Sequence, residues 1–143
     1  MLRHIPKEFT PELLRLMMEM GHGEQLLISD ANFPWRTAGG EHLSIPVDSI
    51  DSLLKDILYF FPLDQANPTA ALVMESAVES GAFKKYQELL SKENNFTKLE
   101  TVERFDFYKH AKKATGIVIT ADTTKGGNIL ITKGVVKSDE GRV

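Results

Sequence analysis

Four short stretches with almost no polar interruption constrain this chain more than any other feature: QLLIS (25–29), AALVM (70–74), GIVIT (116–120) and NILIT (128–132). Each is too short for a buried helix and ends in turn-forming residues, so each reads as a strand. Their side chains do not alternate between apolar and polar, which means that both faces of the sheet they build are covered. Two weaker strands join them, HLSIPV (42–47), weakened by Pro46, and the alternating TKLETV (97–102).

The segments between the strands have helical spacing. TPELLRLMMEMG carries Thr10 as N-cap, Pro11 at the first helical position and Gly21 at C′. SIDSLLKDILYFF (49–61) follows Asp48 as its cap, with Asp51 three residues on, and Pro62 stops it. GAFKKYQELLSK (81–92) and RFDFYKHAKKA (104–114) complete the set. Strands alternating with helices predict an α/β fold, a mostly parallel sheet with helices on both faces in three α/β/α layers. Without a repeat or linker, one domain over 1–143 is expected, with 136–143 (VKSDEGRV) a polar, flexible tail.

Several function classes fall away early. A net charge of −3 without a basic block gives no electrostatic footprint for nucleic acid. The chain has no cysteine, so disulfide, thiol and cysteine–zinc chemistry are excluded. No run approaches the roughly 18 apolar residues of a membrane span, and MLRHIPKEFT has no apolar leader, so a cytoplasmic protein without membrane contact is expected. No glycine-rich phosphate loop, serine-hydrolase elbow or paired-histidine metal motif occurs.

What remains lies around strand ends, where α/β sheets collect ligands. His22 stands between Gly21 and Gly23 just before the first strand, and Asp30 stands just after it. Flanking glycines leave His22 exposed and let it swing over a ligand, although a plain helix-ending turn would look the same. Asp30 equally suits a turn through DANFP. Trp35 is either an aromatic plate for a sugar ring or an apolar lid or subunit contact. The glycine-rich loop ADTTKGG before the last strand lets backbone approach a ligand closely.

Three stretches taken together resemble the fucose mutarotase and ribose pyranase family: EMGHGEQLLISDANFP (19–34), VERFDFYKHAKKA (102–114) and IVITADTTKGGNILITKGVV (117–136). The resemblance covers nearly the whole chain, and the R-F-x-F-Y and D-A-N-F-P elements point to the fucose branch. It implies a cofactor-free, metal-free isomerase that interconverts the α and β anomers of a monosaccharide, L-fucose first among them. It implies His22 as general acid/base, and Asp30, Arg104 and the backbone at Gly126, Gly127 and Asn128 as sugar contacts. It also implies a ring of subunits, a decamer, with sites at subunit contacts. Two positions depart from the family pattern. Thr120-Ala121-Asp122 replaces T-G-E, making Asp122 a further site candidate, and Gly126 replaces a tyrosine, for which Tyr108 is the substitute nearby in sequence. The rival readings are a ribose pyranase or other aldose mutarotase, and a monosaccharide-binding protein with reduced turnover.

Overall fold

The structure, a computed structural model, describes residues 1–140; residues 141–143 of the expected tail lie outside the described residues. In chain order the elements are α1 (Pro11–Glu19), β1 (Gln25–Ser29), β2 (Glu41–Ser44), α2 (Ile50–Phe60), β3 (Ala71–Met74), α3 (Ser76–Glu79), α4 (Ala82–Asn94), β4 (Glu100–Val102), α5 (Arg104–Ala111), β5 (Gly116–Ile119) and β6 (Ile129–Thr132). The strands form one sheet in the order β2-β5-β1-β6-β3-β4. β1, β2 and β5 pair in parallel, as do β3 and β4, whereas β6 runs antiparallel between β1 and β3. The sheet is therefore mixed but mostly parallel, with a single reversed strand near its centre.

The uniformly apolar runs divide between two cores. Leu26 and Ile28 of β1 pack with Ile129 and Ile131 of β6 beneath α1, α2 and α4. Leu27 and Leu130 point the other way, against Phe107 and Ala111 of α5 and Phe33 of the loop after β1. This is the period-2 geometry of a strand acting on a sequence apolar at every position. Ile57 and Leu54 of α2, each fully buried, anchor the thicker layer; truncating such a residue to alanine costs about 2–5 kcal/mol.

Where local signals and structure differ, tertiary contacts decide. Ser49, not Asp48, is the N-cap residue of α2, and its side chain makes no capping bond. The Ile50 N–H instead donates to Asp122 Oδ2 at 2.7 Å, so the cap comes from 72 residues away. Gly21 follows α1 but is not left-handed; that conformation falls to Gly23, at φ +88°. The end of α1 is held by Lys133, whose ammonium donates to the Met17 and Met20 carbonyls, a cation where the helix dipole favours one. β2 stops before Pro46, after Ile45 N–H has donated once more to Ile119 O. α5 ends at Ala111, three residues early, in turns that lead into β5. Of the expected tail, Lys137–Glu140 forms an exposed turn closed by Glu140 N–H on Lys137 O.

The turn into β2 is tightly built. Gly40 has φ +78°, and a Cβ there would lie 2.2 Å from the Thr115 carbonyl oxygen. Gly40→Ala therefore combines left-handed strain, about 1–3 kcal/mol, with a backbone clash. Urea unfolding should show at least that loss with an unchanged m-value.

Candidate functional site

The carboxyl ends of β1, β5 and β3 and the start of β6 meet at one end of the sheet, as the reversed direction of β6 requires. Asp30 leaves β1 there beside Asn128, which enters β6. The Asp30 N–H donates to Asn128 Oδ1 at 2.7 Å, and Asn128 Nδ2 donates back to Asp30 Oδ2 at 3.1 Å. Asp30 Oδ1 accepts from the Asn32 N–H at 2.9 Å, an Asx turn that shapes the loop. Asp30 is only 6% exposed. Burial pushes its carboxyl above the ordinary aspartate range, and the nearby charge of Asp122 adds to this, against the opposing donations from Asn32 and Asn128.

Asp122 has the opposite electrostatics a short distance away. Burial disfavours its charge, but N–H donors more than compensate: Ile50 at the start of α2 gives to Oδ2, and Thr124 gives to Oδ1 at 2.8 Å. The net direction is downward, so Asp122 is an ionised cap, and both of its oxygens are engaged within the fold.

Gly126 and Gly127 line the same end. At Gly126 φ is +65° and a Cβ would meet Ser76 Oγ at 2.1 Å, so this loop path has no room for a side chain where the resemblance has tyrosine. Gly127 O accepts from Tyr86 Oη at 2.6 Å. Tyr86 reaches up from α4 and is fully buried; burial, with Asp122, Asp51 and Asp30 nearby, raises its pKa strongly, so it stays a neutral donor.

An aromatic string runs from Asp30 toward Arg104. Phe33 meets Phe107 and Tyr108 edge-on, at 6.0 and 5.5 Å between ring centroids, and Tyr108 meets Phe105 at 6.0 Å. The Arg104 guanidinium lies over Phe105, 4.6 Å from its centroid, and among the described residues pairs with no carboxylate. Arg104 opens α5 directly after β4, three strand spacings, or about 14 Å, across the sheet from β1. Trp35 lies on the β2 side, half-buried, 5.3 Å from the His42 ring and under the Arg36 guanidinium.

His22 is elsewhere. It precedes β1, so the strand's length, about 17 Å, separates it from Asp30 within one chain. Its backbone is hydrogen-bonded on both sides: Gly23 N–H donates to Lys133 O at 2.8 Å, and Gly21 N–H donates to Glu24 Oε1 at 2.9 Å. The side chain is 57% exposed, with Nε2 3.2 Å from Asp64 Oδ2.

Thus Asp30, Asn128, Asp122 and the two glycines share one end, Tyr108 and Arg104 approach it along the aromatic string, and His22 occupies the opposite end. The fold is shared with known proteins along its length. Residues 3–136 match the RbsD / FucU transport protein family. The chain belongs to the RbsD/FucU family. A relative from Danio rerio named fucose mutarotase is 37% identical over 97% of each chain. The fucose mutarotase of Streptococcus pneumoniae, solved in complex with L-fucose, is 32% identical, with a TM-score of 0.85 over 95% of this chain and 100% of that one. FucU from Bifidobacterium longum is 33% identical, with a TM-score of 0.86 over 93% and 100%.

Tyr86 and Asp64 escaped the sequence reading of this RbsD/FucU chain. Tyr86 occupies an ordinary core position of a helix, and only the return of the 126–128 loop gives its hydroxyl a partner. Asp64 sits in PLDQANP, indistinguishable from a surface turn until Leu63 pairs with Lys133.

The cap role of Asp122 has a pH signature. Its carboxyl is more acidic folded than the unfolded value of about 3.9, so its stabilisation is complete above that value and is lost as pH falls through the folded one. Asp122→Ala should cost about 0.5–2 kcal/mol at neutral pH. In denaturant titrations the gap from wild type should close below about pH 4.

Proposed function

We propose that the protein interconverts the α and β anomers of L-fucose in the cytoplasm, as an isomerase of the racemase/epimerase type that needs no cofactor. What carries this reading is the match along 97% of the chain to a relative named fucose mutarotase, joined by a similar structure that holds L-fucose. The chemistry is modest. Opening a pyranose takes a proton from the anomeric hydroxyl and delivers one to the ring oxygen as the bond from C1 to that oxygen breaks. Closing on the other face of C1 reverses both, so no proton is consumed. An imidazole gives and takes protons near neutrality, which is the part assigned to His22. Asp30 holds sugar hydroxyls at the buried end, with the 126–128 backbone beside it and the Arg104 guanidinium as a forked donor. The Phe33–Tyr108 wall is apolar surface for the sugar's methyl and ring C–H groups.

His22 and Asp30 serve one sugar only if two copies meet, the His22 end of one against the Asp30 end of the next. Contact between unlike ends is heterologous and makes a ring where the rotation closes; a decamer is the assembly in this reading. Tyr59, Val135 and Val136 are exposed apolar groups at the His22 end, available to such a contact.

Saturation-transfer NMR of L-fucose tests the reaction. Wild type should speed anomer exchange, and His22→Ala should lose about 10²–10⁴-fold of that rate. Acceleration with D-ribose alone would make the protein a pyranase, and binding without acceleration would make it a sugar-binding protein.

Subunit mixing tests the shared site. His22→Ala and Asp30→Ala should each be inactive, whereas co-expressed together they should recover about a quarter of wild-type activity, the share of neighbouring pairs that unite an intact His22 with an intact Asp30. No recovery would place each site within one chain.

A further inference from the structure

The short helix after β3 carries a hydroxyl that nothing so far uses. β3 runs antiparallel to β6, with Ala71 opposite Ile131, Leu72 opposite Leu130 and Val73 opposite Ile129. Continued past the ends of the strands, that register sets Ser76, the first residue of α3, against Gly126. Packing agrees with the register: a Cβ on Gly126 would lie 2.1 Å from Ser76 Oγ and 3.0 Å from the Ala77 nitrogen. The serine hydroxyl therefore fills the volume that a side chain at 126 would need. Its own backbone is fixed, since Glu75 N–H donates to Val102 O at 3.1 Å, Ser80 N–H donates to Ser76 O at 3.4 Å, and Ala77 is fully buried.

The polar groups around this hydroxyl are engaged within the fold. Asp30 and Asn128 clasp one another, both Asp122 oxygens accept backbone N–H groups, and Tyr86 donates to Gly127 O. Ser76 Oγ has no hydrogen-bond partner among the described residues. The residue is half-buried, and no fully buried side-chain oxygen among the described residues lacks a partner, so this hydroxyl opens to solvent. From this placement we propose that Ser76 is a specificity-determining contact for the sugar: its hydroxyl pairs with a ring hydroxyl at C2, C3 or C4, away from the reacting C1 and ring oxygen. This rests on the sugar site proposed above, in which His22 of a second copy faces C1 and the 126–128 side holds the rest of the ring. A serine hydroxyl both donates and accepts, which matches a sugar hydroxyl without bringing in a charge. Fixed at one point, it favours a sugar whose hydroxyl points to it over one that lacks that group.

The test compares wild type with Ser76→Ala in saturation-transfer NMR of L-fucose and of analogues lacking the hydroxyl at C2, C3 or C4. Because Ser76 Oγ has no partner in the fold, the substitution removes no internal hydrogen bond. Ser76→Ala should lower kcat/KM for L-fucose about two- to tenfold, mostly through KM. That gap between the two proteins should close for one analogue, the one without the paired hydroxyl, and persist for the other two. Ratios between sugars are taken within one protein, so a lowered folded fraction cancels. A Ser76→Ala protein with wild-type kcat/KM for L-fucose, or a gap that is the same for all three analogues, overturns the proposal. Failure of the underlying reading shows separately, as absence of exchange in the unsubstituted protein. Ligand-observed NMR of L-fucose binding then makes the same comparison, and equal affinity of the two proteins overturns the contact. A wild type that neither speeds exchange nor binds L-fucose overturns both.

Discussion

A single reversed strand inserted between two parallel ones organises this protein at both ends. β6 completes the ladder of β1 on one edge and of β3 on the other, and its four residues are all buried. Because it runs opposite to its neighbours, its entry lies beside the exits of β1 and β3 and its exit lies beside their entries. Asn128, just before it, clasps Asp30; Lys133, just after it, receives the histidine turn and reaches back to α1. An all-parallel arrangement would have needed a crossover connection at this position and would have brought neither pair of segments together.

The two aspartates at the Asn128 end of the sheet show how little sequence identity says about charge. Both are nearly inaccessible, and both pay desolvation. Asp122 sits at the start of α2, where two backbone N–H groups and the helix dipole favour the anion. Asp30 also has donors, the Asn32 and Phe33 N–H groups and the Asn128 amide, but its burial outweighs them and a like charge lies close by. The outcome is a structural carboxylate held ionised and a second whose ionisation is disfavoured. The second is the better placed to gain from a ligand, since sugar hydroxyls would add the donors it lacks.

Much of the architecture was legible in the sequence because it is written in local terms. Uninterrupted apolar runs report a sheet covered on both faces, and Thr10–Pro11 marks the start of α1, where the Leu13 N–H does donate to the threonine hydroxyl. The errors have one common origin. Asp48 looked like the cap of α2 because capping was sought within one turn, whereas the donor group found a carboxylate 72 residues away. Gly21 and Gly23 looked like a hinge because the carbonyl that pins Gly23 belongs to Lys133. The same holds for the candidate site: Asp30 is visible as a polar residue ending a buried strand, but its bond to Asn128 depends on strand direction, which composition does not encode. The glycine at 126 is explained by its left-handed φ and by the approach of Ser76, on a four-residue helix that periodicity cannot detect.

The separation of His22 from Asp30 has a consequence for regulation on the reading proposed above. If a site needs both ends of the sheet and these belong to different copies, an isolated chain holds two half-sites and no whole one. Activity then follows assembly by mass action, as any property of an associated state does. Dilution lowers turnover per chain even where each copy stays folded, because its core does not depend on the contact: β1, β5 and β6 are buried within one chain. The apolar groups exposed at the His22 end would gain from it, since burying them would be a favourable term of such an association. On that proposal, folding and function belong to different surfaces of the same strand, its flanks to the core and its two ends to the contact between copies.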